Sequence, residues 1–157
     1  WKDIKKLKVR EVKVGGERVT ERSRSADEHH VAAANLRAKE SRCDVLAFTR
    51  DRDGNTETQA AIERGIARAE ESPYGVGIIG GVAIEKLESW IIALSGKSRS
   101  EQLGSNMIQE VLESLDIPTK DTSRFVEVIS SADLNSIPAD ASSLLDWIEK
   151  AKSILRA

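Results

Sequence analysis

Two aspartates two residues apart, in Asp51-Arg52-Asp53-Gly54, stand just after the apolar run Val45-Leu46-Ala47-Phe48. A strand that ends in D-x-D-G sets two carboxylates at the carboxyl edge of a sheet, where open α/β sheets bind and transform their ligands. Hard divalent cations need such oxygen donors, and Mg²⁺ takes one or two carboxylates and keeps its waters. A third acid, Glu88, stands in Ile84-Glu85-Lys86-Leu87-Glu88-Ser89-Trp90-Ile91-Ile92. Read as one helix, this segment has an apolar stripe of Ile84, Leu87, Ile91 and Leu94, with Glu88 at its border among Ile84, Ile91 and Ile92. A carboxylate there loses hydration, which a cation, an arginine or a hydrogen-bond network would offset. Glu85 points further from the stripe and reads as a weaker, surface acid. The D-x-D follows one central strand and the Glu88 helix the next, so a parallel sheet brings both to one edge. Asp51, Asp53 and Glu88 could then share one or two cations, the arrangement that activates water and stabilises the leaving oxygen in phosphodiester cleavage. Arg50 and Arg52 either hold phosphate or pair with the neighbouring carboxylates.

Plainer readings stand beside this. D-R-D-G is also an ordinary turn, since Asp and Gly supply turn geometry. A calcium loop does not fit, because the twelfth position from Asp51 is Ile62 where a bidentate Glu is required. His29 and His30 are adjacent on a helix and do not face each other, so they read as surface residues before a chelating pair or a general base. Cys43 reads as core or half-buried. There is no nucleophile elbow and no P-loop, and Gly96-Lys97-Ser98 follows a helix instead of a strand. Trp90 and Trp147 read as packing residues.

The elements that must position these groups alternate. Lys8–Val14 suggests a strand with one solvated side, ended by Gly15-Gly16. Ser25 as N-cap with Glu28 at the capping-box position opens a helix to about Ser41. Val45–Phe48 is a short, wholly apolar strand, expected to be covered on both faces. A helix over Thr56–Glu71 is broken by Pro73-Tyr74-Gly75. Val76–Val82 is the next central strand, whose glycines suggest a bend or a close backbone approach. Helices are expected over Ala83–Leu94, Glu101–Leu115 and Ser123–Ala132, and, after the break at Ile137-Pro138, over Ala141–Leu155. In the last, Leu144, Leu145, Ile148, Ala151, Ile154 and Leu155 face inward. The fold class that follows is α/β: a small, mostly parallel sheet flanked by helices, with a helical C-terminal extension. The expected division is 1–98 for the α/β domain and 99–157 for the extension.

Composition narrows the function classes. The chain has 157 residues, 39% hydrophobic and 32% charged, which suits a folded domain with a core. No apolar stretch nears the ~20 residues of a membrane helix, no signal peptide is visible, and the cytoplasm is the default location. One cysteine excludes an internal disulfide framework and a multi-cysteine zinc site. The net charge of −2 gives no general affinity for nucleic acid, yet residues 1–24 hold nine Lys/Arg against four Asp/Glu. That segment either touches phosphates or is a lysine-guarded strand edge. The chain begins at Trp1 and has few strands, so an upstream strand is expected outside it.

With the apolar strand and D-x-D-G followed by a strand and Ile84-Glu85-Lys86-Leu87-Glu88-Ser89-Trp90-Ile91-Ile92-Ala93, the chain resembles the Toprim-like proteins of bacteria, over roughly Val9 to Ser95. The fold is shared by topoisomerases, bacterial primases and the overcoming-lysogenization-defect nucleases. The resemblance implies a Toprim/Rossmann-like sheet, Mg²⁺ (or Mn²⁺) held by Asp51 and Asp53, and a catalytic acid at Glu88. It also implies nucleic acid as substrate (DNA ahead of RNA) and a role in anti-phage defence, in some relatives beside an ATPase; a homo-oligomer is a further expectation. The family has another Glu at the end of its first strand, and here the equivalent position is expected upstream of Trp1. No catalytic tyrosine is evident, since Tyr74 sits in a P-Y-G turn, so hydrolysis is favoured over strand transfer. The rival reading is a non-catalytic Toprim-like subunit that docks on a partner such as an ATPase. A weaker third is a small nucleotide-binding or phosphatase-like α/β domain using the same D-x-D.

Overall fold

The structure, a computed structural model, describes residues 26–71, 76–118 and 121–156. The expected strand Lys8–Val14, the cap at Ser25 and the Pro73-Tyr74-Gly75 break lie outside these residues. The described elements are α1 (Ala26–Glu40), β1 (Val45–Asp51), α2 (Thr56–Glu70), β2 (Gly77–Ala83), α3 (Leu87–Leu94), α4 (Ser105–Ser114), α5 (Thr122–Ser131) and α6 (Ser142–Leu155), with a 3-10 turn at Ser100–Gln102. β1 and β2 form a two-stranded sheet. Gly77 N–H donates to Asp44 O, and Arg52 N–H donates to Ala83 O. Partner numbers rise together along both strands, so the pair is parallel, as a strand–helix–strand crossover requires. The described protein is thus α/β, and no helix in it is long and apolar enough to cross a membrane.

The chain divides into two compact units. The first takes the described residues up to Ala47 and Glu57–Ile78; the second takes Phe48–Thr56 and those from Ile79 onward.

In the first unit α1 and α2 meet at Gly65, where an added Cβ would lie 2.9 Å from Val31 Cβ. Only glycine lets the helices approach this closely. Val31, Ala38, Ala61, Ile62, Ile66 and Ile78 are buried. Glu28, expected at a capping-box position, is buried in α1 and accepts from Arg64 Nε at 2.6 Å and Arg68 at 2.9 Å, both on α2. Among the described residues Glu28 thus serves ion pairing between the two helices.

In the second unit α3 is apolar around most of its surface, as a buried helix must be. Trp90 and Ala93 pack with Ala83, Ala141, Leu144 and Ile148. Ile91 and Ile92 pack with Ile108, Leu112 and Ile117. The Trp90 and Trp147 rings lie 6.1 Å apart, tilted by 53°. Both tryptophans also anchor: Trp90 Nε1 donates to Ser143 Oγ at 2.8 Å and Trp147 Nε1 to Phe48 O at 3.3 Å. Trp147 lies over β2 so closely that a Cβ at Gly81 would meet its Cδ1 at 2.7 Å, which is the close approach the strand glycines suggested.

Several expectations are corrected. β1 is not covered on both faces, since Ala47, Thr49 and Arg50 are exposed. α3 begins at Leu87, because β2 keeps its pairing through Ala83 and a turn follows. The stripe proposed for it shifts in consequence: Leu87 is exposed, while Ser89, Trp90, Ile91, Ile92 and Ala93 are buried. The helix expected over Glu101–Leu115 is interrupted, with a 3-10 turn before Gly104 and α4 after it. Cys43 is exposed. Leu155, expected inward, is 69% exposed at the end of α6.

Candidate functional site

Asp51 is the last residue of β1, at the carboxyl end of the parallel pair. Its Oδ1 accepts from Leu87 N–H at 2.8 Å. The first backbone N–H groups of a helix have no intrahelical partner. Lys86, the local N-cap of α3, makes no side-chain cap bond. Asp51 therefore supplies the cap from 36 residues away, and its charge suits the positive end of the helix.

Arg52 and Asp53 lead into a tight turn. Asn55 N–H donates to Arg52 O at 2.9 Å across Asp53 and Gly54, whose φ values are +50° and +72°. Positive φ at both central positions is the sign pattern of a type I′ turn, which favours Asp-Gly. The plain turn reading of D-R-D-G thus holds, and Asp53 is exposed on it. Asp53 N–H donates to Glu85 O at 3.2 Å, so the turn after β1 is bonded to the residues after β2. Arg52 reaches Glu85 Oε1 at 3.5 Å, a long contact that fits the carboxylate-pairing alternative through an acid the sequence ranked as peripheral. Its Nε is buried without a hydrogen-bond partner. Arg50 is exposed.

Glu88 is half-buried in the first turn of α3, one residue past the amide that Asp51 caps. Ile84 is not its helical neighbour, because α3 starts after it. The structure thus brings Asp51 to the helix that carries Glu88, and Arg52 to Glu85. Among the described residues, no three of His, Cys, Asp and Glu gather closely enough to hold a metal ion. The donors are all oxygen, the kind Mg²⁺ takes, but a three-acid or two-metal centre is not assembled from them. Mg²⁺ in general takes one or two carboxylates and keeps its waters. His29 is half-buried and His30 exposed on α1, as expected of surface residues; His30 Nδ1 lies 3.8 Å from Asp27.

Sequence reasoning ranked Glu85, whose partner stands on a different strand end, as a surface acid, and it missed the role of the buried Glu101. Glu101 Oε1 accepts from Leu144 N–H at 3.2 Å and its carboxylate also receives Ser143 N–H and the hydroxyls of Ser142 and Ser143. The partners of both acids are distant in sequence, so no local motif marks either one.

Comparison of the chain with protein-family models, with curated proteins and with solved structures finds no match. The class that fold and site define is a small α/β protein with acidic residues at the carboxyl end of a parallel strand pair.

Proposed function

We propose that the protein is a Mg²⁺-dependent phosphodiesterase of Toprim type acting on nucleic acid, in the setting of bacterial anti-phage defence. The observation that carries this reading is the Asp51 bond to Leu87 N–H, which ties the D-x-D to the first turn of the helix bearing Glu88. In such enzymes Mg²⁺ (or Mn²⁺) supplies an acidic water and charge neutralisation at the phosphate. Asp51 is then the principal oxygen donor, fixed in direction by the amide it accepts from. Asp53 offers a second, solvent-facing carboxylate on its turn, and Glu88 a third acid. Arg50 and Arg52 carry the positive charge that orients a phosphate backbone. The test is cleavage of plasmid and single-stranded DNA by the full-length protein in Mg²⁺ or Mn²⁺. Cleavage that requires the metal and disappears in Asp51→Ala supports the reading.

The second reading, a non-catalytic Toprim-like subunit docking on a partner such as an ATPase, is favoured by α5. Val126 and Ile129, one turn apart, are 55% and 53% exposed, while Phe125 and Val128 on the same helix pack onto the core. The structural uses of Asp51 as a cap and Asp53 in a turn also suit it. A well-folded full-length protein that fails to cleave, alone or with its neighbouring gene product, favours this second reading.

A further inference from the structure

Residues 104–140, which carry α4 and α5, are strongly acidic: they hold seven Asp/Glu against two Lys/Arg, and all seven acids are exposed. Arg124, on α5, is already engaged. It pairs with Glu127, and Asp116 and Asp121 also lie near enough to raise its pKa further. One guanidinium thus serves three acids, and this surface keeps a surplus of negative charge. α5 presents apolar side chains inside that field. Phe125 and Val128 turn to the core, whereas Val126 and Ile129 are exposed. With Thr122, also exposed, they form one stripe at spacings of four and three residues, the kind of row that a neighbouring helix packs against. Asp121 caps the start of α5 and Asp133 stands two residues past its last residue, Ser131, so acids bracket the stripe.

We propose that this face of α5 docks a basic amphipathic helix of a partner protein. The apolar row of such a helix covers Val126 and Ile129, and Lys or Arg on its flanks meets Asp121, Glu127 and Asp133. Opposite charges at a rim set partner choice and association rate more than affinity. An acidic helix of the same shape meets charge of its own sign and is turned away. Two apolar side chains at the centre make a small interface, so the association is weak and transient, with a Kd of about 10⁻⁴ M. The inference rests on the reading of the protein as a docking subunit and uses none of the residues at the end of β1.

The test titrates the ¹⁵N-labelled full chain with two synthetic helical peptides of about 15 residues, followed by amide shifts. One is built from leucine and lysine with an apolar row on one face; the other has glutamate in place of lysine. Saturable shifts at residues 122–134 are expected with the lysine peptide, and binding about tenfold weaker or worse with the glutamate peptide. Raising salt from about 0.05 to 0.5 M is expected to weaken the lysine peptide several-fold, since the rim charges are exposed. Ile129→Ser, at an exposed position that folding tolerates, should weaken it about tenfold. If residues 122–134 do not respond at millimolar lysine peptide, both the proposal and the use of α5 as a docking surface are overturned. Equal binding of the two peptides at these residues, or binding indifferent to salt, overturns the basic partner alone and leaves α5 as a docking surface. Binding unchanged in folded Ile129→Ser overturns the proposal by placing the peptide elsewhere.

Discussion

Asp51 has two uses that a single substitution separates. As a cap it needs only an acceptor for Leu87 N–H, which asparagine also provides; as a metal ligand it needs its charge. Asp51→Ala is therefore expected to lower stability by about 1 kcal/mol and Asp51→Asn by only a few tenths, read from urea midpoints. Equal losses in both would mean that the charge, and not the hydrogen bond, anchors α3. Glu28 shows a different asymmetry. The Glu28 side chain is 6% exposed, whereas Arg64 and Arg68 are 50% and 54% exposed. Either arginine can be solvated when its partner is lost, but the carboxylate cannot. Replacing one arginine with methionine should cost about 1 kcal/mol or less. Replacing both should cost about 3 kcal/mol, because the buried charge then lacks these two cations. A double-mutant cycle in denaturant checks this, and simple additivity would count against it.

At the scale of elements, two close contacts depend on groups far apart in sequence. Gly65→Ala should destabilise by about 1–3 kcal/mol through overpacking against Val31, outweighing the ~1 kcal/mol that alanine gains in a helix. A raised melting temperature would show that α1 and α2 part easily. Glu101→Ala leaves the α6 amides of Ser143 and Leu144 without their carboxylate and should cost about 2–3 kcal/mol, measured by thermal and urea unfolding. The same distances explain what the sequence could reveal. α2, α5 and α6 were legible to within about a residue at each end, because their own apolar periodicity and breaks define them. The start of α3 was not, because Val82-Ala83-Ile84 continues the apolar pattern from strand into turn and the cap comes from Asp51. The start of α6 was placed to within a residue, but its cap, Glu101, could not be identified across more than 40 residues. β1 looked like a fully covered strand from four apolar residues, yet burial depends on neighbours that composition does not name.

At the scale of the molecule, α3 joins the two hydrophobic clusters of the second unit, and its N-terminus is held by the first aspartate of the D-x-D. A hub of this kind gives a catalytic acid a rigid mounting, and it equally suits a scaffold. The D-x-D-G turn was readable in the sequence because Asp-Gly is its natural pair; the distances between Asp51, Asp53 and Glu88 were not, because no spacing rule fixes them between strand end, turn and helix, and among the described residues no three such acids gather as the sequence suggested. The decisive measurement is Mg²⁺- and Mn²⁺-dependent cleavage of plasmid DNA by the full-length protein, compared with Asp51→Asn at matched folded fraction. Metal-dependent cleavage by the parent, lost in a variant that keeps the α3 cap and its stability, is the expected result. Cleavage undiminished in Asp51→Asn, or none by the folded parent with or without its neighbouring gene product, would contradict the assignment of Asp51 to a metal-dependent phosphodiesterase.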